Sequence, residues 1–160
     1  MNNMPCPEVP EAPTPSKYCY KGAIHYFEPL GLSENINTKK VRPYIVISRT
    51  NIKSKRVIIS PITDIRNYIE NGKMKYPYHA PFLKKNNPFL DKDSCVLLDQ
   101  VYTIEKNELW EEWFLGKVSD TTELDKAISY NFDLYETIAK EFTELINGFE
   151  KKYKEDFSRR

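Results

Sequence analysis

Between Gly22 and Val118 the apolar residues arrive in short bursts bounded by turn formers, and that spacing confines the chain to a sheet of many short strands. Ala23-Ile24-His25-Tyr26-Phe27 alternates loosely and stops at Glu28-Pro29, because proline cannot extend a hydrogen-bonded ladder. A polar loop over 31–40 follows. Pro43-Tyr44-Ile45-Val46-Ile47-Ser48 and Arg56-Val57-Ile58-Ile59-Ser60-Pro61-Ile62 are β-branched runs separated by a hairpin-length connection, and they read as core strands. Tyr76 to Phe82 carries two prolines and suits only a sheet edge, and Asn71-Gly72 before it marks a turn. Ser94 to Asp99 and Trp113 to Val118 complete a set of six strands, with one helical turn expected at Lys106 to Leu109. Short strands with short connections predict a small antiparallel barrel.

After Ser119 the period changes. Asp120 and Glu123 have capping-box spacing, and Leu124, Ile128, Tyr135, Ile138, Phe142, Leu145 and Ile146 recur every three or four residues. This pattern predicts one C-terminal α-helix of about 25 residues, capped at Asn147-Gly148, whose apolar stripe covers the barrel and meets a second subunit at its far end. The fold class expected is therefore α+β, mostly β. Five prolines before residue 16 make 1–17 an extended, poorly ordered arm, 18–148 the folded domain, and 149–160 a charged tail.

With 40% hydrophobic and 29% charged residues, the chain has the composition of a globular protein. Its longest apolar runs, Tyr44–Ile47 and Cys95–Leu98, fall far short of the roughly 20 residues a membrane-spanning helix needs. The start of the chain lacks the basic and apolar regions of a secretory signal, so a cytoplasmic location is expected. Cys6, Cys19 and Cys95 form an odd set without a Cys-x-x-Cys pair, and His25 and His79 lie far apart. Neither a disulfide framework nor a metal or other cofactor is expected.

The net charge of +1 conceals a strong asymmetry. Residues 39–85 carry 12 basic and 2 acidic side chains, whereas 86–160 carry 10 basic and 17 acidic. Such a basic block is the footprint of a polyanion, and nucleic acid is the favoured partner. Cleaving RNA without a metal requires a base for the 2′-hydroxyl, a proton donor for the 5′-oxygen and donors for the phosphate oxygens. Arg42, held extended by Pro43, offers a planar phosphate clamp; Thr63 offers a hydroxyl at a strand end; Glu34 offers a loop carboxylate. Each has an ordinary reading too: a surface ion pair, a turn hydroxyl and a solvated acid.

The segments Gly22-Ala23-Ile24, Phe27-Glu28-Pro29, Val41-Arg42-Pro43-Tyr44-Ile45-Val46-Ile47-Ser48, Ser60-Pro61-Ile62-Thr63, the run Leu90 to Lys106 and Leu115-Gly116-Lys117-Val118-Ser119 resemble, in order and spacing, the MazF/PemK/Kid toxins of bacterial toxin–antitoxin systems. The resemblance implies an SH3-like barrel and a homodimer that cleaves single-stranded RNA without metal. The implied products are a 2′,3′-cyclic phosphate and a 5′-hydroxyl, and the implied inhibitor is a cognate antitoxin protein. Arg42 matches the arginine that stabilises the scissile phosphate, Thr63 the threonine that contacts it, and Glu34 falls near the family's loop glutamate. Lys39, Lys40, Pro43, Ser60, His79, Gln100 and Tyr102 are then expected on the RNA-binding surface. Tyr102 stands where many relatives have a cation, and its ring suits stacking on a base. His79 stands where relatives often have glutamate, which makes it a second candidate for proton transfer. The competing reading is a non-catalytic barrel of the same shape, either a CcdB-like gyrase poison or a module that only binds protein or RNA.

Overall fold

The computed structural model describes residues 7–29, 41–49 and 53–158. Nine strands and two helices follow in order: β1 (Ala23–Phe27), β2 (Arg42–Val46), β3 (Arg56–Asp64), β4 (Ile69–Glu70), β5 (Lys73–Met74), β6 (His79–Phe82), β7 (Ser94–Leu97), β8 (Tyr102–Glu105), β9 (Phe114–Lys117), α1 (Thr122–Asn131) and α2 (Tyr135–Ser158). Seven strands form a curled antiparallel half-barrel in the order β6-β7-β3-β2-β1-β9, with β8 also paired to β3. The expected α+β class therefore holds. Pro81 sits in β6, which is an edge strand as its prolines required.

The nine-residue β3 organises this sheet. Its first half pairs with β8, from Arg56 opposite Glu105 to Ile59 opposite Tyr102. Its second half pairs with β7, from Ile62 opposite Val96 to Asp64 opposite Ser94. β2 takes the other edge. Where β3 changes partner, the Ser60 hydroxyl donates to the carbonyls of Leu97 (2.7 Å) and Gln100 (3.2 Å), tying the β7–β8 turn to the strand.

Side chains alternate across the sheet, and both faces are covered. On one face Ile24, Ile45, Ile62, Val96 and Leu98 pack under Leu124 and Ala127 of α1. On the other, Phe27, Tyr44, Val46 and Ile59 lie with Tyr18, Tyr20, Leu109 and Phe114, while Cys95 and Leu97 lie with Tyr68, Ile69 and Met74 of the β4–β5 hairpin. That hairpin turns at Asn71 (φ 51°) and Gly72 (φ 74°), the left-handed pair a two-residue turn of this hand demands.

The helical part corrects the sequence reading. Instead of one helix capped at Asn147-Gly148, there are two, broken at residues 132–134, and the second passes through Gly148 to Ser158. Asp133 adopts φ 53°, its amide donates to the Tyr130 carbonyl and that of Leu134 donates to Ser129, which satisfies the last carbonyls of α1. The capping residue is aspartate rather than glycine, so composition does not announce the break. The expected capping box does not form: Thr121 is the N-cap of α1 without a side-chain cap bond, Asp120 accepts from the Thr122 amide at 2.9 Å, and Glu123 pairs with Lys126. No residue of α2 is buried. Among the described residues, no helix is long and apolar enough to cross a membrane.

Where a poorly ordered arm is expected, the described part of the proline segment makes specific contacts from Glu8 to Ser16. The Trp113 indole donates to the Glu8 carbonyl, the Thr14 amide to Glu112, the Glu111 amide to the Thr14 carbonyl, and the Ser16 amide to Leu109. Composition alone does not reveal these partners, because they belong to residues 109–113, about a hundred positions along the chain. The Ser16 hydroxyl also meets Nε2 of His25 at 2.7 Å, and Tyr18 stacks on Phe114 with 4.0 Å between centroids.

His25 is fully buried, and burial lowers its pKa from 6.5 to about 4. Since the unfolded chain takes up this proton first, the stability His25 contributes is complete above pH 6.5 and is lost as the pH falls through 4. Urea unfolding is expected to show a loss of roughly 2–3 kcal/mol from this residue between pH 7.5 and 4.5. A His25→Gln variant should show a correspondingly flatter pH dependence over that interval; an unchanged slope contradicts the assignment.

Candidate active site

Arg42 opens β2, with its backbone extended before Pro43. β1 places it opposite Phe27, and the β2–β3 ladder runs Tyr44 to Pro61, Ile45 to Ser60 and Val46 to Ile59. The paired ladder ends at Tyr44 opposite Pro61; Arg42 and Thr63 lie two residues beyond it on their strands, on the face that carries Tyr44. Thr63 in turn faces Cys95 of β7, and Cys95 faces Pro81 of β6. Phe27 and Arg42 thus form one cross-strand pair, and Thr63, Cys95 and Pro81 form a row on the same face. Arg42 and Thr63 are both half-buried, between the cover supplied by the N-terminal tyrosines and that supplied by the β4–β5 hairpin.

The chemistry around this pair is polar and braced. Asp64, next to Thr63, accepts three bonds from the Arg66 guanidinium (3.0, 2.9 and 2.7 Å) and lies 3.3 Å from the Lys92 amine. Hydrogen bonds from Arg66 hold its carboxyl well below the usual carboxylate range, so its charge is present but engaged. Tyr44 follows Arg42 by two residues on the same face of β2 and is buried. Burial pushes its phenol up to about 12, with Arg42 pulling the other way, so it remains a neutral donor. Pro43 is half-buried beside Tyr26. Asp64, Arg66 and Tyr44 escaped the sequence reading; the Asp-x-Arg spacing of 64 and 66 was the available signal.

The remaining expected residues separate into groups. Glu34, Lys39 and Lys40 lie outside the described residues. Ser60 is fully buried and its hydroxyl proton is committed to backbone carbonyls, so it serves the sheet rather than a ligand surface. Gln100 is exposed at the β7–β8 turn, and Tyr102 is half-buried in an edge-to-face contact with Tyr44 at 6.1 Å. His79 is 6% exposed, with Nε2 3.3 Å from Asp99 and its ring bordered by Tyr68, Tyr76 and Tyr78. It shares the face of Thr63, two strands away and offset by two residues, about 12 Å by strand geometry. Among the described residues, no three His, Cys, Asp or Glu side chains gather as metal ligands would.

A family model described as "PemK-like, MazF-like toxin of type II toxin-antitoxin system" matches residues 27–130. The chain belongs to this toxin family. Its members include "Endoribonuclease MazF" of Staphylococcus epidermidis, 36% identical over 96 residues, which span 59% of this chain and 75% of that protein. The protein of the same description from Staphylococcus saprophyticus is 33% identical over 97 residues, 59% and 76% of the two chains. Solved structures share the SH3-like fold of the PemK/MazF toxins. "Endoribonuclease in complex with its cognate antitoxin from Mycobacterial species" superimposes with a TM-score of 0.52 at 18% identity, covering 72% of this chain and 95% of that one. "Mycobacterium tuberculosis toxin MazF-mt6" gives 0.50 at 22% identity, covering 70% and 97%. The PemK-like match begins after most of the arm-bearing segment and ends before α2.

The position of Ser60 generates a stability prediction for this PemK-like chain. Ser60→Ala removes a buried hydroxyl donor from the Leu97 and Gln100 carbonyls and is expected to cost about 1 kcal/mol in urea unfolding. A variant as stable as the parent contradicts a structural role.

Proposed function

We propose that this chain is a toxin that cleaves single-stranded RNA, with Arg42 and Thr63 holding one scissile phosphate. The observation that supports the reading is that Arg42 and Thr63 are each half-buried, two residues past the last paired positions of β2 and β3 and on one face of the sheet. Membership of the toxin family supports it, as do relatives described as endoribonucleases.

In the proposed reaction the ribose 2′-oxygen attacks phosphorus, and the bond from phosphorus to the 5′-oxygen breaks. The 2′-hydroxyl proton passes to a base and the leaving 5′-oxygen gains a proton, giving a cyclic phosphate and a 5′-hydroxyl. The Arg42 fork binds non-bridging oxygens as negative charge grows on them, and the Thr63 hydroxyl donates to the same group. Glu34 is the base in this scheme, since His79 stands two strands from Thr63 with Nε2 beside Asp99. Binding falls to the basic block together with Pro43, Gln100 and Tyr102, and no metal takes part. The active species is a homodimer in the cytoplasm, silenced by a cognate antitoxin that competes for the cationic surface.

The test is incubation of the full chain with a long single-stranded RNA in excess EDTA. Discrete fragments ending in cyclic phosphate are expected from the parent, and Arg42→Ala and Thr63→Ala should each cleave at least about a hundredfold more slowly. RNA binding without turnover by the parent protein refutes the proposal and leaves the binding-module reading in its place.

A further inference from the structure

α2 lies wholly beyond the residues that match the toxin family, and it presents an apolar stripe that nothing in the chain covers. Ile138, Phe142, Leu145, Ile146, Phe149 and Tyr153 are 42–66% exposed. Among these six the steps are four, three, one, three and four, a central spacing that reads the same from either end, with Tyr135 and Phe157 extending the stripe outside it. A helix with that symmetry meets an inverted copy of itself in register: Ile138 with Tyr153, Phe142 with Phe149, and Leu145 with Ile146. We propose that α2 pairs antiparallel with α2 of a second copy of this chain, about a two-fold axis between Leu145 and Ile146.

Charge favours this occupant and this direction. On a helical projection Glu141 and Lys152 lie on the same side of the stripe, within about 20° of each other. In the antiparallel pair they face each other across the seam, and two-fold symmetry makes that contact twice. Such an isologous pairing needs no surface other than the one already present. The helix spans about 36 Å, and six side chains losing about 100 Å² each from both copies bury about 1,200 Å², the lower edge of a stable specific interface. A membrane surface fits less well, because α2 carries six acidic and four basic side chains and is not drawn to anionic lipid.

Sedimentation of the full chain over a micromolar concentration series tests the pairing. It concerns α2 alone, so any association through the half-barrel sets the baseline and the change in mass is the readout. Phe142→Asp, at a position 62% exposed, should lower the assembled mass to that baseline. Glu141→Lys should weaken assembly at least about fivefold at low salt by setting like charges together twice, and adding Lys152→Glu should restore it. Equal masses for the parent and Phe142→Asp overturn the proposal. Failure of the double variant to recover overturns the antiparallel register, and with it the proposal as stated.

Discussion

One strand carries hydrogen bonds for three others. β3 gives one edge to β2 and divides the other between β8 and β7, and the buried Ser60 hydroxyl ties the turn that joins those two strands to the place where the division occurs. Because the pleat alternates, this one strand sends Ile58 and Ile62 toward α1 and Ile59 and Thr63 to the opposite side. A shift of its register by one residue would exchange those faces. The candidate phosphate site therefore inherits its geometry from the same ladder that fixes the core.

The site also shows how a polar cluster survives within a mostly covered sheet. Thr63 borders Asp64, whose charge is held by Arg66 and Lys92, and Arg42 borders Tyr44, whose phenol stays protonated. Cations thereby dominate a place where a bare carboxylate would repel phosphate. This arrangement explains how an acidic residue adjoins a site proposed for an anion.

Much of this was legible in the sequence where a local physical rule governed. The β-branched runs became β2, β3 and β7, the proline-bearing run became edge strand β6, and Asn71-Gly72 made a tight turn. The missed features were set by distant partners or by exceptions to those rules. β8 is a strand because β3 has a free edge for it, not because Tyr102–Glu105 alternates strongly. Asp133 takes a left-handed conformation usually left to glycine, so the helix break was invisible, while Gly148, the expected cap, remains helical. Ser60 and Thr63 sit in one motif, yet only the fold separates the buried hydroxyl from the half-buried one.

The prolines of the β6 region carry a consequence for the life of the molecule. A half-barrel has two open margins, and an unguarded margin recruits further strands from neighbouring chains. Pro81 removes a donor from the β6 margin, so a visiting segment finds an incomplete row of bonding groups there. The chain can in this way resist growing into fibrils at that margin.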